Sequence, residues 1–467
     1  MSGKLWMVSP VHVEVIDTAD LGDRSYLVHD GESAVVVDPQ RDFDRVEKAL
    51  AGLGVQCAMV LETHMHNDYV TGGYELAQRN GCPYVVSAED PVSFDRVAVR
   101  DGDELSVGTM TIRVVSTPGH TDTHLAYVIS VGTETPAVFT GGSLLYGSVG
   151  RTDLVDATRT EEFTRAQFHS ARRLADELPD ATAVYPTHGF GSFCSSGSAA
   201  GGDTSTIGAE KQRNDALTTD DEDKFVETLI ANLTAYPAYY AHMGALNLAG
   251  PGAPDLSPPA PLDAAELRAR IEAGEWIVDL RDRTAYAANH VQGSVGFALD
   301  KQFSTFLGWV MPWGAPLTLI GASASEVTEA QRMLVRIGID KLQGSATGSA
   351  EELSAGTPTS SYPRHTFAEL PDSIVAADQA TDTDAVILDV RRDDEYAGGY
   401  IPGAKHIPLH SLLQRLDELP PGRLWVHCAG GYRASIAASL LDRVGRDIVL
   451  IDDDYDNAVA AGLTTNA

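Results

Sequence analysis

The feature that most constrains this chain is an internal repeat in its carboxy-terminal half. Trp276-Ile-Val-Asp-Leu-Arg281 parallels Val386-Ile-Leu-Asp-Val-Arg391, and AYAANHVQGSVGFAL at 285–299 parallels EYAGGYIPGAKHIPL at 395–409. Each copy then reaches a further apolar strand, LTLIG at 317–321 and LWVHC at 424–428, followed by a helical pattern. Strands alternating with helices predict, in each copy, a small parallel sheet covered on both faces. At roughly 150 residues per domain, a chain of 467 residues holds about three cores. The stretch AGPGAPDLSPPAP at 249–261 reads as a linker, and the small polar residues of 344–362 mark a weaker break. The expected units are therefore 1–250, 262–345 and 363–467.

Composition removes several classes of partner. A formal charge of −32 repels nucleic acid and anionic membrane, so neither is expected. No run of some 18 apolar residues suggests a membrane span. The start, MSGKLWMVSPVHVEVID, lacks a basic segment followed by an apolar one, so no secretory leader is expected and the cytosol is the expected address. Cys57, Cys82, Cys194 and Cys428 are scattered without a CxxC pair, which predicts neither a disulfide framework nor a thiolate zinc site. Cys57 and Cys82 are expected to be small buried hydrophobes.

Cys428-Ala429-Gly430-Gly431-Tyr432-Arg433 follows a buried strand and opens a helix. Backbone N–H groups of such a loop and the helix amino terminus stabilise an anion, and the thiolate is the nucleophilic form of cysteine. Gly430 and Gly431 permit the turns that a cradle requires, and Arg433 adds a fixed positive charge. With LDVR and YIPGAKHIPL in order before this CxxGxR loop, the unit 363–467 resembles a rhodanese domain. The resemblance implies a persulfide carried on Cys428, held by Ala429, Gly430, Gly431 and Tyr432, with Arg433 assisting. The unit 262–345 resembles a rhodanese without its nucleophile, reading Ile320-Gly321-Ala322-Ser323 where the repeat calls for cysteine. Ser323 has no evident partner base, so this unit is expected to be structural, an interface or spacer.

In the first unit, strand-like runs (VHVEVI, SYLVH, SAVVVD, CAMVLET, PYVVSA, TIRVVS, LAYVIS, AVFTG) are interspersed with helical patterns at 42–52 and 161–177. This predicts an α/β or α+β sandwich, with 206–247 as a helical tail. His64, His66 and Asp68 alternate in THMHNDYVTGG after a strand, His120 follows another in STPGHTDTH, and His188 ends a third in VYPTHG. Histidines at strand ends in separate loops suit a metal site, with Asp68 as ligand, orienter or acid–base group. His124 reads as an ordinary polar helper. The arrangement resembles the metallo-β-lactamase αββα sandwich, and VFTGGSLLYGSVGRTDL at 138–154 is most similar to persulfide dioxygenases. That resemblance implies oxidation of glutathione persulfide to sulfite with O₂ at one iron, held by two histidines and a carboxylate.

Two departures from the family pattern bear on the metal. Tyr69 stands where HxHxDH ends in histidine, and Gly142 stands where TGD supplies the carboxylate, so a two-metal centre is not expected. His64, His66 and His120 suffice for one ion, iron or zinc, with His188 a further candidate beside it. Three readings follow: a persulfide-oxidising enzyme paired with a sulfurtransferase, a thioester hydrolase, or a metal-free scaffold carrying only Cys428. The expected partners are small thiols or persulfides, and the cysteine-less unit is the candidate surface for a homo-oligomer. Cys194, in GSFCSSG, is a candidate to meet a persulfide in the large unit's pocket.

Overall fold

The computed structural model describes residues 11–197, 202–371 and 385–465. The first ten residues, part of the segment read for a leader, and 372–384, within the expected 363–467 unit, lie outside the described residues. The chain divides into two compact units: residues 1–255 with 335–338, and 256–334 with 339–467.

The first unit is built on two six-stranded sheets. One contains β1 (His12–Thr18), β2 (Asp23–His29), β3 (Ser33–Val37), β4 (Gln56–Leu61), β5 (Tyr84–Ser87) and β6 (Val97–Val99) in that order. The other contains β7 (Glu104–Val107), β8 (Met110–Ser116), β9 (Leu125–Val131), β10 (Glu134–Gly141), β11 (Ala183–Pro186) and β12 (Ser205–Thr206). Side-chain alternation along the strands separates two faces. Tyr26, Val28, Val35, Val37 and Leu61 meet Ile112, Val114, Tyr127, Ile129 and Phe139 between the sheets. The neighbouring positions Leu27, Val36 and Val60 turn outward onto Val46 and Leu50 of helix Asp44–Leu53 and Leu76 of helix Gly73–Asn80. On the other side Val115, Ala126, Val128 and Val138 pack under Phe168, Ala171 and Leu174 of helix Thr160–Glu177. Both faces of both sheets are thus apolar, and only a helix–sheet–sheet–helix sandwich buries them all.

Cys57 is buried as expected, whereas Cys82 is only half-buried, and their sulfurs approach to 3.8 Å. Both remain free thiols.

The second unit holds two parallel sheets. One orders β13 (Trp276–Asp279), β15 (Val295–Gly296), β16 (Leu317–Gly321) and β17 (Leu342–Thr347) as β15-β13-β16-β17. The other orders β19 (Arg364–His365), β20 (Ala385–Asp389), β21 (Lys405–His406), β22 (Arg423–His427) and β23 (Ile448–Ile451) as β19-β23-β22-β20-β21. A short antiparallel pair, β14 (His290–Val291) with β18 (Thr359–Ser360), accompanies them. The repeat read from the sequence is a repeat in space: Asp279 pairs with Ile320 in one sheet as Asp389 pairs with His427 in the other. In each copy that aspartate takes the arginine two residues on, Asp279 with Arg281 and Asp389 with Arg391, in a forked ion pair. Among the described residues no helix is long and apolar enough to cross a membrane.

Candidate functional site

Strand ends of the sandwich deliver the histidines to one buried place. β4 runs into Glu62-Thr63-His64-Met65-His66, β8 leads to His120, and β11 leads to His188. All four are buried, with Asp68 beside them. His64, His120 and His188 each bring one ring nitrogen within 4.8 Å of the others.

The hydrogen bonds on the far side of each ring fix which nitrogen faces inward. His120 Nδ1 donates to the Arg151 carbonyl at 2.7 Å, so its Nε2 keeps a lone pair. Thr63 Oγ1 spends its proton on Asp38 Oδ2 at 2.7 Å and therefore accepts from His64 Nδ1 at 2.9 Å. His188 Nδ1 is held by Asp23 Oδ1 at 2.9 Å and lies 3.2 Å from Asp68 Oδ2. His64 Nε2 and His188 Nε2 then stand 3.2 Å apart. Two imidazoles sharing a tetrahedral ion at about 2.1 Å stand roughly 3.4 Å apart, so the pair needs little change to hold a cation. Oriented imidazoles backed by carboxylate and carbonyl are what metal-binding histidines require.

Carboxylates crowd the same place: Asp23 Oδ2, Glu62 Oε2 and both Asp68 oxygens are buried without a well-formed hydrogen bond. Burial raises the Asp23 carboxyl well above its usual range and the Glu62 carboxyl to about 7, while the His188 ring faces Asp23 and Asp68 and the His66 ring faces Glu62. Burial and the neighbouring imidazoles hold His64 well below the usual histidine range. Burial, with His188 next, takes His120 down to about 3, so both rings are neutral. For His188 burial works against the charge, but Asp68 and Asp23 outweigh it and raise the ring to about 10. Burial likewise raises the Asp68 carboxyl, and His188 outweighs it, so Asp68 is an anion.

The sequence-expected set of His64, His66 and His120 differs from the set that converges here. His66 turns aside: its Nε2 meets the Tyr69 hydroxyl at 2.9 Å, Glu62 Oε2 at 3.2 Å and Asp38 Oδ1 at 3.4 Å. Burial opposes its charge, but Asp38 and Glu62 raise it to about 9. His66 is thus an ion-pair partner of two carboxylates, although it also groups with Asp68 and His188. His188 takes the third place in the trio. His124 accepts from the Gly142 N–H through Nε2 at 3.0 Å and bonds Thr117 through Nδ1, which makes it the polar helper expected.

Gly142 has a steric reason to be glycine. A methyl group built there would sit 2.3 Å from His120 Cδ2, so the His120 ring occupies the space that a carboxylate side chain would need. Asp23, Asp38 and Glu62 escaped the sequence reading. Asp38 ends the SAVVVD strand with φ of 50°, a conformation rare outside glycine. It binds Thr63 through both N and Oγ1 at 2.7 Å, as well as Thr187. A strand ending in aspartate was the available signal. Cys194 lies fully buried next to Asp68, and burial, then that carboxylate, pushes its thiol well up. A protonated, enclosed sulfur is a poor nucleophile, contrary to the role considered for it.

The Cys428 loop forms a separate site. Cys428 is buried at the end of β22, and Gly431, at φ of 84°, begins the buried helix Tyr432–Arg443. A methyl group at Gly431 would lie 2.1 Å from Asp452 Oδ1, so this position admits only glycine. Arg433 does not stand free beside the sulfur. Its guanidinium forks onto Glu395, with Nη2 to Oε1 at 2.7 Å, while its charge still interacts with Cys428. Burial raises the Glu395 carboxyl, and Arg433 outweighs this to lower it. In the other copy Gly321 takes the place of Cys428 by strand register, and Ala285 the place of Glu395. That copy has lost both the sulfur and the anchor.

Comparison with known proteins agrees with this geometry. A model of the metallo-beta-lactamase superfamily matches residues 21–188, and a model of the rhodanese-like domain matches 373–461. A hydroxyacylglutathione hydrolase of Cupriavidus taiwanensis is 32% identical over 174 residues, covering 35% of this chain and 62% of that protein. The chain thus spans under two thirds of that relative's length. The mitochondrial persulfide dioxygenase ETHE1 of Homo sapiens is 28% identical over 240 residues, covering 50% of this chain and 82% of that one. The crystal structure of a metallo-beta-lactamase from Staphylococcus aureus subsp. aureus COL matches with a TM-score of 0.65 at 27% identity, covering 73% of this chain and 100% of that one. By fold, by motif and by similarity, the chain belongs to the metallo-beta-lactamase superfamily and joins such a domain to a rhodanese-like domain.

Proposed function

We propose that this chain is a sulfur-metabolism enzyme in which the sandwich oxidises a low-molecular-weight persulfide and Cys428 carries sulfane sulfur. The observation that carries the reading is the convergence of His64, His120 and His188 in a chain that also presents a CxxGxR loop. The three imidazoles are the residues that would hold one metal ion. Bound in such a nitrogen site with open positions, iron supplies the O₂ chemistry implied by the resemblance to persulfide dioxygenases.

The chain's own residues do the rest. Asp23 orients His188, the Arg151 carbonyl orients His120, and Thr63 with Asp38 orients His64. Asp68, an anion facing His188 Nδ1 at 3.2 Å, helps Asp23 hold that ring in place. At the second site Glu395 fixes Arg433, and Gly431 keeps the loop open. There Cys428 sulfur attacks the sulfane sulfur of a donor, whose thiol or sulfite departs. An acceptor then takes that sulfur and restores the cysteine.

The test is O₂ uptake and sulfite formation with glutathione persulfide by iron-loaded protein. Uptake that disappears in His188→Ala supports the reading, and its absence in fully loaded protein refutes the oxidative part. Hydrolysis of a thioester is the second reading, favoured by the similarity to hydroxyacylglutathione hydrolases. Turnover of S-lactoylglutathione by zinc-loaded protein, without O₂ uptake by the iron form, would select it.

A further inference from the structure

The cysteine-less repeat places a cation against the active loop of its partner repeat. Arg283 opens the short helix Arg283–Ala288 that follows β13. Its Nε donates at 2.7 Å to Asp452 Oδ1, the oxygen that closes off the space above Gly431 of the Cys428 loop. A methyl group built on Gly431 would sit 3.3 Å from that Nε, so Arg283 lies on the loop itself. Asp452 does not cancel the charge, because it is shared with Arg364 Nη1 at 3.0 Å. The Arg283 side chain keeps 33% of its surface exposed, so dissolved molecules can reach it.

Sequence register makes this arginine more pointed. Aligning Tyr286 with Tyr396 sets Arg283 opposite Asp393 of the active repeat. The silent copy therefore dropped the cysteine and the glutamate anchor, yet carries a positive charge where its twin is negative. The surroundings give that charge a purpose. Asp454 stands beside Gly430 of the loop and Asp300 beside Tyr432, in a chain of net charge −32. Arg433 is largely enclosed and forked onto Glu395, whereas Arg283 keeps a third of its side chain exposed beside the loop.

We propose that Arg283 is a specificity-determining residue of the Cys428 site: it binds the anionic group, sulfonate or carboxylate, of the sulfur donor or acceptor. The cysteine-less repeat is then a working part of the sulfurtransferase. With thiosulfate as donor, the Cys428 thiolate attacks the outer sulfur. A bond from Sγ to that sulfur forms, the sulfur–sulfur bond of thiosulfate breaks, and sulfite leaves with the electron pair. Cyanide then takes the outer sulfur as thiocyanate and restores the thiolate, so charge and atoms balance. Arg283 faces the dianion as it enters and the sulfite as it leaves, and a guanidinium fork suits such oxygens.

The inference rests on Cys428 carrying sulfur, and the two can be separated. The first measurement is the mass of the full chain after thiosulfate. Gain of one sulfur, lost in Cys428→Ser, supports the carrier reading; no gain overturns both. The second is steady-state thiocyanate formation by Arg283→Gln, Arg283→Lys and Asp452→Asn. The proposal expects Arg283→Gln to raise KM for thiosulfate on the order of 10-fold or more with kcat changed much less, as loss of a charged hydrogen bond predicts. Arg283→Lys should recover part of that loss, and glutathione persulfide, whose carboxylates offer the same chemistry, shows whether a sulfonate is required. Asp452→Asn removes the counter-charge and leaves Arg283, so it should keep or lower KM. An unchanged KM in Arg283→Gln overturns the proposal. So does equal impairment by Arg283→Gln and Asp452→Asn, which would mark the pair as structural.

Discussion

His64 Nε2 and His188 Nε2 stand 3.2 Å apart although they hang from different sheets, His64 after β4 and His188 after β11. The contact therefore closes the sandwich at its strand ends. Each ring is anchored at Nδ1, His188 by Asp23 and His64 by Thr63, so the two Nε2 atoms face one another where they would share a cation.

Gly142 tests whether the site is a damaged version of the family pattern or a differently built one. If His120 has taken the vacated space, Gly142→Asp will not rebuild a carboxylate ligand. The added atoms meet the His120 ring, whose Nδ1 is already fixed to Arg151. Overpacking of this kind costs about 1–3 kcal/mol. Thermal denaturation and metal analysis of the variant should both show a loss. A stable variant with more metal than the parent would contradict the steric account.

Sulfur transfer should depend on one thiol. Cys428→Ser abolishes thiocyanate formation from thiosulfate, while Cys82→Ser, in the other unit, leaves it intact. Circular dichroism of both variants checks that the fold is unchanged. Residual activity above a few per cent in Cys428→Ser would place the carrier elsewhere.

Asp90 gives a stability prediction independent of either site. Burial raises its carboxyl to about 6, against one short hydrogen bond from Thr123 Oγ1 at 2.6 Å. A folded value above the unfolded one means that stability is fully present below about pH 4 and is lost as pH rises through 6. Asp90→Asn keeps the Thr123 bond and removes the titration. At pH 8 it should be more stable than the parent by on the order of 2 kcal/mol, since each tenfold change in proton affinity on folding is worth about 1.4 kcal/mol. The gain should vanish near pH 4, and equal stability at both pH values would refute it.

The sequence made part of this legible and hid part for physical reasons. Strand-like runs such as SYLVH, SAVVVD and TIRVVS foretold a sandwich of strands and helices, and the two-sheet layering came with the resemblance to the metallo-β-lactamase fold. Histidines at strand ends foretold a cluster, because open α/β architectures expose those ends together. Which three converge was not legible. His66 and His64 are two residues apart on one loop, and only the contacts of Tyr69, Glu62 and Asp38 with His66 separate their roles. Asp38 was hidden as a single strand-end aspartate among many in an acidic chain. Arg433 was expected at the sulfur, and its partner Glu395 was not foreseen because the two lie 38 positions apart. Arg283 was invisible for the same reason on a larger scale, since only the packing of one repeat on the other brings it to Cys428.

The most direct measurement is metal content per chain, by elemental analysis of protein purified without oxygen, for the parent and for His64→Ala, His120→Ala, His188→Ala and His66→Ala. The geometry predicts about one ion in the parent, lost in the first three variants and largely kept in the fourth. Metal retained in His188→Ala but lost in His66→Ala would contradict the trio, and a metal-free parent would leave Cys428 as the chain's sole reactive centre.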